Sequence, residues 1–92
     1  MDDARSMGLD TVELVIRVEK EFDIEIPNAD AARLVTVRDL QAYVVGVLRQ
    51  QGRIESADSI DAQVRDIICD QLGVEPEDVV PSARFVDDLG AD

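Results

Sequence analysis

Apolar residues recur at helical spacing along most of this chain. In residues 10–22 they fall three and four positions apart, which predicts an amphipathic helix with Asp10 as its N-cap. The apolar stripe consists of Val12, Leu14, Val15, Ile16, Val18 and Phe22. The polar face is formed by Glu13, Arg17, Lys20 and Glu21, with Glu19 near its edge.

The middle of the chain predicts a connector, a short helix and a second long helix. Residues 23–27 alternate apolar and acidic positions and stop at Pro27, which is typical of an extended connector. Asn28 opens a stretch, 28–34, that allows one or two helical turns. Thr36 precedes Asp39 by three residues, which resembles the capping box that begins many helices. The apolar stripe that follows is Leu40, Tyr43, Val44, Val47 and Leu48.

The last part of the chain predicts a linker, a third long helix and a long loop. Residues 49–58 are polar and contain a glycine, as linkers do. A helix is expected from Asp58 or Ser59 to a stop at Gly73. Its stripe is Ile60, Val64, Ile67, Ile68 and Leu72. The loop that follows has two prolines and is expected to be anchored by Val74, Val79, Val80, Phe85, Val86 and Leu89.

These elements predict an all-α fold, a small four-helix bundle with three long helices and one short one. Such a set can enclose one aliphatic core, and 92 residues suit a single domain, 1–92. The two longest stripes should pack on each other. The residues predicted to meet there are Val15, Val18 and Phe22 from one helix and Ile60, Val64, Ile67 and Leu72 from the other.

Charge limits the possible partners. The chain has 21 acidic and 9 basic residues, a net charge of −12. This disfavours binding to nucleic acid and to anionic membrane surfaces, because both would repel the protein. A basic protein partner is the electrostatic complement. The alternative is that the charge only keeps a small domain soluble.

Candidate catalytic chemistry is sparse. The chain has no histidine, which removes the commonest general base and metal ligand, and its single Cys69 makes neither a zinc site nor a disulfide. We therefore predict no enzyme activity and no metal, and we expect Cys69 to be a small buried hydrophobe. A lone cysteine, no signal peptide and no long apolar run favour a cytoplasmic protein.

Three segments resemble the acyl carrier protein family. The stretch "LDTVELVIRVEKEFDIEIP" at 9–27 is similar to the second helix and following loop of that family, and "TVRDLQAYV" at 36–44 is similar to its last helix. The stretch "IDAQVRDIICDQLGVEPEDVVPSARFVDDLGAD" at 60–92 is similar to its first helix and long first loop. In the family the last of these segments comes first. The resemblance therefore implies a circularly permuted order, in which 9–48 corresponds to helices II–IV, 49–58 is a linker, and 59–92 is helix I with its loop.

The family resemblance implies a 4′-phosphopantetheine arm on a serine, but that serine is missing. In family members the serine lies at the junction that would join "GAD" to "LDTVEL". Counting back from Phe22 places Gly8 at this position, and glycine has no hydroxyl. Ser6 is the nearest candidate for attachment. Thr11 lies one helical turn too far along the chain.

Two functions follow from the resemblance. The first is a carrier that presents a thioester-bound acyl chain to fatty-acid, polyketide or lipid enzymes. The second is a binding or regulatory module of the same fold without an arm. In the carrier, acidic residues would meet basic patches of synthases, acyl-transfer enzymes or phosphopantetheinyl transferases, namely Asp10, Glu13, Glu19, Glu21 and Asp92. A monomer is expected rather than a segment-swapped dimer, because a coil of about ten residues, with a reach of roughly 17–19 Å, can join adjacent helix ends.

Overall fold

The structure is a computed structural model that describes residues 9–53 and 55–91. Its helices are α1 (Leu9–Phe22), α2 (Asn28–Ala31), α3 (Val37–Gln50) and α4 (Ala57–Leu72), followed by a 3₁₀ turn at Pro76–Asp78. The described residues contain no β-strand beyond an isolated antiparallel bridge between Thr36 and Arg84. The predicted all-α class is confirmed.

Helices α1 and α4 pack against each other at the centre of the molecule. Val18 and Phe22 of α1 are buried in the same aliphatic cluster as Ile60, Val64 and Ile67 of α4. Val15 and Leu72 are half-buried against this cluster. The predicted packing of the two stripes is confirmed, although they are far apart in the sequence.

The predicted phase of the α1 stripe was wrong at two positions. Val12 and Ile16 are 39% and 43% exposed, whereas Leu14 is buried at the centre of the stripe. At 100° per residue, Val12 and Ile16 project about 120° and 160° away from Val18. Spacings of three and four occur on any helix face, so spacing alone did not distinguish the buried face from the exposed one.

Several helix boundaries differ from those expected. α1 begins at Leu9, so Asp10 lies inside its first turn and is not the N-cap. α2 has Pro27 as its N-cap, and its one turn is within the one or two turns expected. α4 begins at Ala57, because the Ser56 hydroxyl accepts a hydrogen bond from the N–H of Ser59. The expected stop at Gly73 is confirmed, with a left-handed φ of 69°.

The predicted 49–58 linker is shorter than expected. α3 continues to Gln50, and α4 is already helical at Ala57. The described part of the connection is therefore residues 51–53 and 55–56, and it is not an extended ten-residue coil. Its start is an ordered turn that is fixed by backbone hydrogen bonds.

The start of α3 carries the capping box predicted from Thr36 and Asp39. The N–H of Asp39 donates to Thr36 Oγ1 at 3.2 Å, and the N–H of Thr36 donates to Asp39 Oδ2 at 3.0 Å. The N–H of Val35 donates to the same carboxylate oxygen at 3.1 Å. These bonds satisfy backbone donors that a helix start otherwise leaves without partners.

The long loop after α4 docks on this same helix start. The N–H of Val37 donates to the carbonyl of Ala83 at 3.0 Å, and the N–H of Arg38 donates to that of Pro81 at 2.9 Å. In return, the N–H of Phe85 donates to the carbonyl of Val35 at 3.0 Å. The first donors of α3 thus hold the loop in place.

The anchors of this loop were predicted only in part. Val79, Phe85 and Leu89 are buried, whereas Val80 and Val86 are exposed, which contradicts the prediction for these two valines. Each exposed valine directly follows a buried residue, and successive residues of a non-helical chain tend to point to opposite sides. The anchors that the sequence analysis missed are Ala83 and Ala91, and Val74 is half-buried.

Replacing Ile67 with Ala should lower the free energy of unfolding by roughly 2–5 kcal/mol, because it leaves a cavity between α1 and α4. Ile16→Ala removes the same atoms from an exposed position and should cost well under 1 kcal/mol. Urea unfolding of both variants tests the packing. Equal losses for the two variants would contradict it.

Asp39→Asn should destabilise the protein at neutral pH. The N–H groups of Thr36 and Val35 lower the pKa of the Asp39 carboxyl, so the folded state prefers the carboxylate. The stability from this group is complete above its unfolded-state pKa, about 3.9, and is lost as the pH falls through the lower folded-state pKa. We expect a loss of about 0.5–2 kcal/mol at pH 7 that shrinks toward pH 3.

Urea titrations at several pH values measure the effect of Asp39→Asn. Asp66→Asn, on the exposed surface of α4, is the matched control and should change little. The carboxylate cap would be contradicted if the free energy of unfolding of Asp39→Asn differed from that of the unmodified protein by the same amount at pH 7 and at pH 3.

Candidate functional site

The exposed face of α1 combines apolar and charged side chains. Val12 and Ile16 lie there beside the exposed Glu13, Lys20 and Glu21. A shallow depression of about 320 Å³ lies on this face. It is lined by Glu13, Ile16, Arg17, Lys20 and Glu21. An apolar centre with charged groups around it suits contact with another protein.

Glu19, one of the predicted partner-binding residues, makes an internal hydrogen bond. It is half-buried, and its Oε2 accepts a bond from the N–H of Ile26 at 2.7 Å. This bond holds the connector after α1 so that Ile24 and Ile26 are buried while Glu25 between them is exposed. The carboxylate therefore supports the end of α1 as well as carrying charge.

Polar contacts link the edge of this face to α4. The Arg17 guanidinium forms an ion pair with Asp70, and the Gln71 amide donates to Glu13 Oε1 at 3.1 Å. Both arginine and aspartate in this pair are substantially exposed, so the pair contributes little to stability. It does neutralise Arg17 locally. Among the described residues of this face, Lys20 and Glu21 carry charges that form no ion pair or hydrogen bond within the chain.

The predicted attachment region lies mostly outside the described residues. Ser6, Gly8 and Asp92 are not among the described residues, so the prediction that the two chain ends meet stays a prediction. Asp10 and Thr11 are half-buried in the first turns of α1. Thr11 projects only about 20° from the buried Val18, and its hydroxyl therefore lies on the core side of the helix. At the other end of the chain, Ala91 is buried, and its N–H donates to the Phe85 carbonyl at 2.8 Å.

A second depression lies between α2 and α3. It measures about 360 Å³ and is lined by Asp30, Arg33, Leu34, Asp39, Ala42 and Tyr43. The Tyr43 hydroxyl donates to Asp30 Oδ2 at 2.7 Å. Burial, followed by this bond, raises the pKa of Tyr43 to about 12, so the phenol stays protonated near neutral pH. With both carboxylates bonded internally, this depression holds no free acid–base pair.

The remaining candidate chemistry is limited in the part of the chain that the structure describes. Cys69 is half-buried, and burial is the main cause that raises the pKa of its thiol, which disfavours the reactive thiolate. No cluster of potential metal ligands occurs among residues 9–53 and 55–91. Within the same ranges, every helix is too short or too polar to cross a bilayer.

Comparison with known proteins gives partial matches. An acyl carrier protein of Bdellovibrio bacteriovorus is 50% identical over 44 residues, which are 48% of this chain and 56% of that protein. An acyl carrier protein of Chlorobium phaeobacteroides is 46% identical over 44 residues, with the same coverage. The chain thus spans about half the length of these curated relatives. No family model and no solved structure matches it.

The four helices and their aliphatic core define a small all-α bundle. The identity of 46–50% over 44 residues relates the chain to the acyl carrier protein family. This relationship agrees with the resemblance seen in the sequence.

Proposed function

We propose that the chain is an acyl-carrier-like module that docks on acyl-transfer, synthase or phosphopantetheinyl transferase enzymes. The observation that carries this proposal is the identity to two acyl carrier proteins over 44 residues. The exposed face of α1, with Ile16 among charged residues, supports it as the docking surface. In this role the protein carries or binds and does not itself catalyse.

We further propose that residues 9–48 and 59–92 are the two parts of one carrier domain in permuted order. A permuted chain can align with a relative in only one of its parts at a time, and a match over about half of each protein agrees with this. The packing of α4 on α1 within one chain also supports a single closed domain. A monomer is the proposed state in solution, and the connection between α3 and α4, not this packing, distinguishes it from a segment-swapped dimer.

The residues at the helix start do not fit a standard prosthetic group site. The arm of a carrier needs a hydroxyl for its phosphodiester, and Gly8 offers none. Thr11 is half-buried on the core side, which leaves Ser6 as the candidate for attachment. Gly8 therefore favours the second candidate function, a module of this fold that occupies or regulates docking sites without carrying an acyl chain.

Incubating the chain with coenzyme A and a phosphopantetheinyl transferase should give little or no modified protein by intact mass. Gly8→Ser restores the hydroxyl at the register position and should raise the modified fraction. A rearranged chain that joins "GAD" to "SLDTVEL" should be modified most completely. Full modification of the unaltered chain that disappears in Ser6→Ala would instead establish an armed carrier with a displaced serine.

Docking through α1 predicts a charge effect on enzyme binding. Glu21→Lys should weaken binding of a phosphopantetheinyl transferase roughly two- to fivefold, as expected when one exposed charge is reversed, and the effect should fade at high salt. Glu77→Lys makes the same charge change in the 3₁₀ turn and is the matched control. Surface plasmon resonance at two salt concentrations measures both variants, and equal weakening would exclude α1 as the specific contact.

A further inference from the structure

The turn after α3 reverses the chain by a defined set of bonds. α3 ends at Gln50, and Gly52 has a left-handed φ of 77°. The N–H of Gly52 donates to the carbonyl of Arg49, and the N–H of Arg53 donates to that of Leu48, both at 3.0 Å. This pair of bonds is the Schellman arrangement, which closes a helix end and turns the chain away from the helix axis.

The side chain of Arg53 fastens this turn to the end of α1. Its Nη1 donates to the carbonyl of Phe22, the last residue of α1, at 2.6 Å, and to Gln51 Oε1 at 3.3 Å. The same guanidinium lies 3.6 Å from the Glu55 carboxylate. A cation at a helix C-terminus is favoured by the helix dipole and by the unpaired carbonyls there. The turn and the end of α1 are thus held together by one side chain.

We propose that Gly52 and Arg53 form a latch that commits α4 to pack on α1 of its own chain. The competing arrangement is an exchange of residues 57–91 between two copies of the chain. Exchange would recreate the same contacts between α1 and α4, so those contacts cancel in the comparison. The connection between α3 and α4 is what differs, and its conformation therefore decides between the two arrangements.

Exchange needs the connection between α3 and α4 to straighten, so that α4 can move away from α1 of its own chain and pack on α1 of another copy. A straightened connection moves Gly52 out of the left-handed region and breaks both bonds of the turn. It also carries Arg53 away from the Phe22 carbonyl. The latch thus stabilises the closed monomer and not the exchanged dimer. This inference does not depend on whether the protein carries an acyl chain.

Alanine at Gly52 tests the latch, and Gly73 provides a matched control. Both glycines have a left-handed φ, 77° and 69°, and a Cβ added at either position would meet no atom within 4 Å. Alanine therefore introduces the same backbone strain at both sites, and it causes no steric clash at either one. Gly73 ends α4 and lies outside the connection, so its strain stays the same whether or not the chains exchange.

The variants are refolded from urea at high protein concentration and analysed by size-exclusion chromatography with light scattering. Gly52→Ala should favour exchange about fivefold per chain, hence roughly 25-fold in the dimerisation constant. Gly73→Ala should lower stability to a similar degree without increasing the dimer. An equal dimer fraction in both variants would overturn the proposal.

Arg53→Ala keeps the proposal testable if Gly52→Ala fails to fold. This variant should also raise the dimer fraction, whereas Arg65→Ala, which removes an exposed arginine from α4, should not. If Arg53→Ala and Arg65→Ala form the same fraction of dimer, the proposed role of the Arg53 guanidinium is overturned. Circular dichroism establishes that each variant is helical before its size is compared.

Discussion

The packing of α1 on α4 is the contact on which the other parts of this fold depend. Leu14, Val18 and Phe22 would face water without α4, and each such side chain gains about 1.5–3 kcal/mol from burial. Because residues 23–56 separate the two helices in the sequence, the segments between them have to bring the chain back to α1. The turn at Gly52 and the short helix α2 are two ways in which it does so.

The start of α3 supplies the second constraint. Its backbone donors bind the carbonyls of Pro81 and Ala83, while the Asp39 carboxylate accepts bonds from the residues just before the helix. The loop with two prolines forms a short 3₁₀ turn at Pro76–Asp78, and further along its carbonyl groups serve as the cap of a helix distant in sequence. Burial of Phe85 and Leu89 follows from this docking, since it holds the loop against the core.

The sequence predicted correctly the packing of the α1 stripe on the α4 stripe and several local features that depend on neighbouring residues. The capping box at Thr36 and the stop at Gly73 each need only a few positions, and both are present. The exposure of Val12 and Ile16 could have been predicted from the angular phase of α1, measured from Val18. The bonds from Glu19 to Ile26 and from Arg53 to Phe22 could not, because they depend on how separate segments meet in space.

The candidate site separates two requirements that a carrier normally meets together. Docking needs an exposed helix face, and Ile16 with Glu13 and Glu21 offers one, while the Glu19 carboxylate holds the connector that follows α1. Attachment of an arm needs a hydroxyl at the helix start, where the register places Gly8. Glycine at that position removes the oxygen without changing any residue of the α1 face. Under the proposed function, such a chain keeps the docking face of a carrier and lacks the attachment point for its cargo, which is the physical basis for the proposed module that competes with loaded carriers.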